Sequence, residues 1–208
     1  MSYKLYYWNF AGRGEFLRLI FAAAGKEFED VGDPKVFQTL TNPDGQGWPN
    51  FAVPILECPD GTRISQTHVA MKMLGASLGF APNGALEESR AEQVNLTMMD
   101  ANVEFYTALK ADEEKKEKFF TERLPKFFKY ISRALAQTNK WVASGGSKPT
   151  FADFGVFWLL YQMGGIVPEQ YAAAIADYPS ISSWKDEMEK LPHLSDYLKS
   201  GRMKPLKP

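Results

Sequence analysis

Tyr7 and Arg13 bracket a change of local pattern near the start of the chain. Tyr3 to Trp8 is rich in aromatics and carries no breaker, which reads as a buried strand. Asn9 to Gly12 reads as a tight turn. From Arg13 to Ala24 the apolar residues Phe16, Leu17, Leu19, Ile20 and Phe21 fall at helical spacing. A tyrosine thus ends a first strand, and an arginine opens the helix after it. In an open α/β layer that edge is where ligands bind. A helix N-terminus there favours anions, a thiolate among them. Tyr6 and Tyr7 point to opposite faces of the strand, so only one of them faces such a site.

Composition limits what the chain can do. It has 208 residues, 45% of them apolar and 14% aromatic, which supports a sizeable core and argues against disorder. Its 24 basic and 25 acidic residues leave a net charge of −1, which argues against nucleic acid or an anionic membrane as partner. Apolar runs stay short of the roughly 18 residues that a membrane span needs, and the chain opens on a strand rather than a leader; a cytoplasmic protein is expected. The lone Cys58 rules out an internal disulfide or a two-cysteine redox motif. His68 and His193 lie far apart without paired ligands, so no metal is expected.

The elements that must position the first residues follow from the same pass. Strand 3–8 and helix 13–25 lead to a short strand at 28–31 and one or two helical turns over 34–40. The stretch 42–50 holds Pro43, Gly45, Gly47 and Pro49 and is a loop. A strand over 53–58, a turn at 59–61 and a strand over 62–65 make a hairpin, and a helix spans 66–78. The order is β-α-β-α-β-β-α. Beyond the linker at 82–84 every element reads as helix: 86–110, 113–137, 150–160 or beyond, and shorter ones near 168–176 and 179–190. The helix from 150 is apolar nearly all round and should be central. The fold class is therefore a mixed α/β unit over 1–79 followed by an all-helical unit over 80–208.

Tyr3-Lys4-Leu5-Tyr6-Tyr7, Gly12-Arg13-Gly14-Glu15, Val53-Pro54-Ile55-Leu56-Glu57, Gln66-Thr67 at a helix start and Thr150-Phe151-Ala152-Asp153 stand at separations that resemble a cytosolic glutathione transferase over nearly the whole chain. The first two pieces are similar to the sigma class. The resemblance implies a thioredoxin-like glutathione domain over 1–79 and a helical substrate domain over 80–208. It implies a homodimeric detoxifying enzyme that takes glutathione as co-substrate, with no metal, and joins it to a small hydrophobic electrophile.

Residue by residue, the resemblance makes Tyr7 the catalytic tyrosine, whose hydroxyl donates to the glutathione sulfur and lowers the thiol pKa. Arg13 supports the thiolate; its bland alternative is a helix-start arginine paired with Glu15 or Glu27. Val53 and Pro54 match a cis-proline pair whose backbone binds the cysteinyl part of glutathione as an added strand would. Gln66 and Thr67 match the residues that hold the γ-glutamyl carboxylate. Asp100 or Glu104 is the candidate to reach the glutathione of a neighbouring subunit. Thr150 to Asp153 is a capping box with a folding role. Met98, Met99, Phe105, Phe157 and Met163 are mostly core, and Lys110 to Lys118 is a solvated charge run.

Some family positions are altered. A glutathione-contacting tryptophan is matched by Phe37, with Trp48 available in the 42–50 loop. A family lysine falls near Thr41, and a basic or amide residue falls at Ala52. Lys35 or Asn50 could compensate, and weaker glutathione affinity is expected. Two alternatives stay open beside the transferase: a prostaglandin-type isomerase of the sigma class, and a non-enzymatic crystallin-like or ligand-carrying protein.

Overall fold

The computed structural model describes residues 2–207. The described residues form two compact units. One runs to Gly79 and includes Pro192–Lys207, and the other is Phe80–Leu191.

The first unit is built on β1 (Tyr3–Tyr6), a 3-10 turn at Gly12–Gly14, α1 (Glu15–Ala23), β2 (Phe28–Val31), α2 (Pro34–Leu40), β3 (Ile55–Glu57), β4 (Arg63–Ser65) and α3 (Thr67–Leu78). The sheet order is β2-β1-β3-β4. β1 pairs parallel with β2 and antiparallel with β3, so Tyr6 lies opposite Val31 on one side and Ile55 on the other. This is the mixed sheet of a thioredoxin-like domain in the expected βαβαββα order. β1 ends at Tyr6 rather than Trp8, although the Tyr7 N–H still bonds to the Val31 carbonyl at 3.1 Å. From Glu15 to Phe21 every residue of α1 is buried, which makes α1 the packing centre of this unit. Asp33 caps α2 by accepting from the Lys35 N–H, with Pro34 at its first position.

The second unit holds α4 (Gly84–Leu109), α5 (Glu113–Lys118), α6 (Leu124–Thr138), α7 (Phe151–Ile166), α8 (Pro168–Ile175) and α9 (Pro179–Glu189). α7 is buried along most of its length and is the unit's centre, as its uniform hydrophobicity requires. The expected single helix over 113–137 is interrupted: Phe119–Arg123 winds as a π turn. Pro125 has no N–H and its ring collides with the carbonyl of Thr121 in a regular α-helix, so the backbone widens just ahead of it.

A further element was not expected. α10 (Pro192–Lys199) packs on α1 through the buried Leu194 and Tyr197. The segment after Leu191, read above as the end of the helical unit, is thus packed within the first unit up to Lys207.

Candidate active site

Tyr7 is buried, 7% exposed, at the end of β1. Its hydroxyl oxygen accepts the backbone N–H of Arg13 at 3.0 Å. That bond uses an acceptor lone pair and leaves the phenolic proton free to be given to an incoming atom. Burial raises the Tyr7 pKa, while the Arg13 N–H and the charges of Arg13 and Arg18 pull against that rise. The phenol therefore stays protonated across the neutral range, with a proton available to donate. Arg13 itself is exposed. Its bond to Tyr7 is made by the main chain, and its guanidinium contributes charge.

The turn between Tyr7 and α1 is shaped by glycines. Gly12 has φ +40°, a conformation that side-chain-bearing residues rarely adopt. A Cβ on Gly12 would lie 2.7 Å from the Tyr7 hydroxyl. Gly14 has ordinary backbone angles, but a Cβ there would lie 2.7 Å from Tyr7 Cγ and closer still to Cδ1. Gly14→Ala should therefore push the tyrosine ring out of place. The expected outcome is roughly 1–3 kcal/mol lost in chemical denaturation and a fall in turnover of at least tenfold. Unchanged turnover would show that this glycine does not hold the ring.

Tyr6 points elsewhere, as strand alternation requires. Its hydroxyl donates to Glu57 at 3.2 Å, and burial with the neighbouring Glu57 carboxylate pushes its pKa up to about 12. The pairing considered for Arg13 with Glu15 does not form. Glu15 is fully buried and bonds to Arg18 at 3.0 Å and to the Tyr197 hydroxyl.

Arg18 was missed by reading the sequence. It is 2% exposed. Its guanidinium grips Asp30 with two bonds at 2.9 and 3.2 Å and donates to the carbonyls of Trp8, Phe10 and Ala11 at 3.3, 3.2 and 3.4 Å. It also lies 5.9 Å from the Tyr7 ring centroid. Its position inside an apolar helix pattern was the available signal, because a buried arginine survives only when fully partnered. Trp8 was missed as well: it is 41% exposed beside Tyr7, with its ring edge-on to Phe37 at 4.9 Å.

Phe37 is buried in a small core with Tyr6 and Ile55, walled by Val31, Val36, Leu40 and Val53. The Val53–Pro54 bond is cis. Gln66 has φ 70°, one of two described non-glycine residues in the left-handed half of the map, and Thr67 beside it is buried at the start of α3. Backbone outliers of this kind persist where the surroundings enforce them, and they cluster at ligand sites. Tyr7, Val53, Pro54, Gln66 and Thr67 all belong to this first unit, on β1, β3, α3 and their approaches.

The substitutes considered for the altered family positions are Trp48, Asn50 and Lys35. Trp48 is 80% exposed and lines a hollow of about 400 Å³ with Gln46, Gly47 and the hairpin residues Gly61–Ile64. Asn50 is buried and donates to the Trp48 carbonyl at 3.3 Å, so its amide braces the loop. Lys35 is exposed on α2. Cys58 is buried, and burial with Asp60 and Glu57 nearby raises its thiol pKa, which leaves it a poor nucleophile.

In the second unit Asp100 is exposed on α4, whereas Glu104 is bound by Arg123 through two bonds at 2.6 Å. Asp153 is fully buried and accepts from the Val142 N–H, the Thr150 N–H and hydroxyl, and the Trp184 indole, at 2.8–3.1 Å. Burial pushes its carboxyl up to about 6, with those four donors pulling the other way. Among the described residues no helix is long and apolar enough to cross a membrane, and no group of three or more His, Cys, Asp or Glu side chains gathers to hold a metal.

Comparison with known proteins points one way. A family model described as the glutathione S-transferase C-terminal domain matches residues 99–201. The hematopoietic prostaglandin D synthase of Gallus gallus is 30% identical over 206 residues, covering 95% of each chain. A glutathione S-transferase of Tyrophagus putrescentiae is 25% identical over 207 residues, covering 95% of this chain and 90% of that relative. Among solved structures, the glutathione S-transferase from Ascaris lumbricoides matches with a TM-score of 0.78 at 24% identity, covering 100% of both chains, a likeness of fold.

Proposed function

Because the chain belongs to the glutathione S-transferase family, we propose that it activates the glutathione thiol through the Tyr7 hydroxyl and delivers the thiolate to an apolar electrophile. It is a glutathione transferase, with glutathione as co-substrate. The observation that carries the mechanism is the Tyr7 hydroxyl itself. It is buried, kept protonated, and polarised by the Arg13 N–H, with its own proton left to donate. A donor aimed at sulfur favours the thiolate, the nucleophilic form. The sulfur lone pair forms a C–S bond, the leaving group departs with its electrons, and the thiol proton passes to solvent. Binding and orientation supply the rest of the rate gain.

The remaining contacts in this reading follow the geometry of the first unit. Val53 offers its main chain to the cysteinyl portion, with Pro54 setting the local path. The strained Gln66 and the start of α3 at Thr67 offer side-chain and N–H donors to the γ-glutamyl carboxylate, with the helix dipole in support. Phe37 contributes as the floor under Trp8. The motif around Tyr7 and Arg13 supports assignment to the sigma class. We place the protein in the cytoplasm as a two-fold homodimer.

Asp100 is the residue proposed to reach the partner subunit's glutathione, because Glu104 is already committed to Arg123. Asp100→Ala should raise the glutathione KM about three- to tenfold, as loss of one partly exposed charged contact would. Glu104→Gln should leave it unchanged. The opposite pattern would exchange their roles, and a monomer in sedimentation would remove both.

A second reading has one observation in its favour: the Gallus gallus relative is named a prostaglandin D synthase. The same thiolate acting on an endoperoxide would make this chain an isomerase. Side-by-side assays with a chloronitroarene and a prostaglandin endoperoxide decide. Conjugation with the arene supports the transferase, isomerisation far exceeding conjugation favours the second reading, and turnover of neither overturns both.

A further inference from the structure

The turn that carries Tyr7 is gripped from two sides. From α1, Arg18 donates to the carbonyls of Trp8, Phe10 and Ala11, and its guanidinium is in turn held by Glu15 and Asp30. From the C-terminal segment, the Tyr197 hydroxyl donates to the second oxygen of Glu15, and the Pro205 carbonyl accepts the Ala11 N–H at 2.9 Å. The Lys204 ammonium stands 3.6 Å from Asp30. Lys207 lies 5.1 Å from the Phe10 ring centroid, and that ring packs edge-on to Tyr7 at 5.5 Å. Glu15 and Arg18 are buried, so the centre of the network is dry, and a dry charged pair tolerates few geometries.

Resting on the reading of Tyr7 as the thiol donor, we infer that the segment Tyr197–Lys207 is a positioning element for catalysis. Through the chain Tyr197–Glu15–Arg18, and through Pro205, it fixes the turn at Trp8–Gly12 and with it the aim of the Tyr7 hydroxyl. None of its residues has to touch substrate. A donor held about 1 Å away from its productive place can lose as much as a hundredfold in rate, and donor sites depend on such supporting bonds for their precision. The inference gives Tyr197 and Pro205 a role in the thiol pKa that their distance along the chain from Tyr7 conceals.

Two variants test it. Tyr197→Phe deletes one hydroxyl and keeps the ring beneath Arg202, whose guanidinium carbon lies 5.6 Å away. A chain ending at Met203 removes the Lys204, Pro205 and Lys207 contacts and carries the test if the first variant folds poorly. Each should raise the apparent thiol pKa, read from the pH dependence of kcat/KM, by about half a unit to one unit. Near-neutral turnover should fall about three- to tenfold as a result, with the glutathione KM unchanged. In a Tyr7→Phe background neither change should lower turnover further, because both act through that hydroxyl. A lower Tm with an unmoved thiol pKa overturns the inference, and so does an equal loss without Tyr7. If Tyr7→Phe alone leaves the thiol pKa unmoved, the underlying reading of Tyr7 falls and this inference with it. If Tyr7→Phe moves it and the C-terminal variants do not, only the inference falls.

Discussion

Tyr7→Phe should lower kcat/KM for a chloronitroarene by about ten- to a hundredfold at neutral pH and leave the glutathione KM within about twofold. The change removes one hydrogen bond to a charged sulfur, worth roughly 1.5–3 kcal/mol in a buried setting, and each 1.4 kcal/mol is about tenfold in rate. The ring stays in place because Gly12, Gly14 and Phe10 shape its slot, so the loss is confined to the hydroxyl. The sign of the pH effect follows from the environment of Tyr7. Its own pKa is raised by burial, so it does not ionise in the working range and the group that titrates is the thiol. The variant should approach wild-type rates as the pH rises past the pKa of an ordinary thiol, about 8.5, where the thiolate forms unaided. Rates for wild type and variant that stay parallel at every pH would mean that the hydroxyl does something other than ionise the thiol.

Asp153→Ala should lower stability by about 3–5 kcal/mol in chemical denaturation, the range for breaking a buried charged network by removing one partner. The Val142 and Thr150 N–H groups and the Trp184 indole lose their acceptor in a site with no access to water. The carboxylate ties the start of α7 to the segment before it and to α9, so its loss loosens the centre of the helical unit. The native carboxyl holds its proton up to about pH 6, against about 3.9 in an unfolded chain. The native state therefore binds the proton more tightly. This group's contribution is largest below about pH 4 and shrinks as the pH rises through 6. A loss below about 1 kcal/mol would mean that another group or water takes over as acceptor.

How much was legible in the sequence depended on how local each signal was. The order of the first unit could be read because its strands are short apolar runs between strong breakers, and Asp33-Pro34 marks a helix start by itself. Strand period said that only one of Tyr6 and Tyr7 faces the site; the choice of Tyr7, like the cis bond at Pro54, came with the family motif. Arg18 stood out only as a charge inside an apolar helix pattern, and its role could not be read because Asp30 and the three carbonyls reach it only when β1, β2 and α1 are packed. α10 was missed because an eight-residue helix with Leu194 and Tyr197 as its buried residues shows no periodic pattern. The π turn before Pro125 was missed because the apolar spacing runs straight through it. The choice between Asp100 and Glu104 was open in the sequence, and the structure adds only that Arg123 occupies one of them.

The most direct test is an ultraviolet difference titration of glutathione bound to wild type and to Tyr7→Phe, reading the thiolate absorbance. The expected result is a bound-thiol pKa at least one unit below the ordinary value of about 8.5 in wild type, returning toward that value in the variant. The same pKa in both proteins would contradict thiol activation by Tyr7.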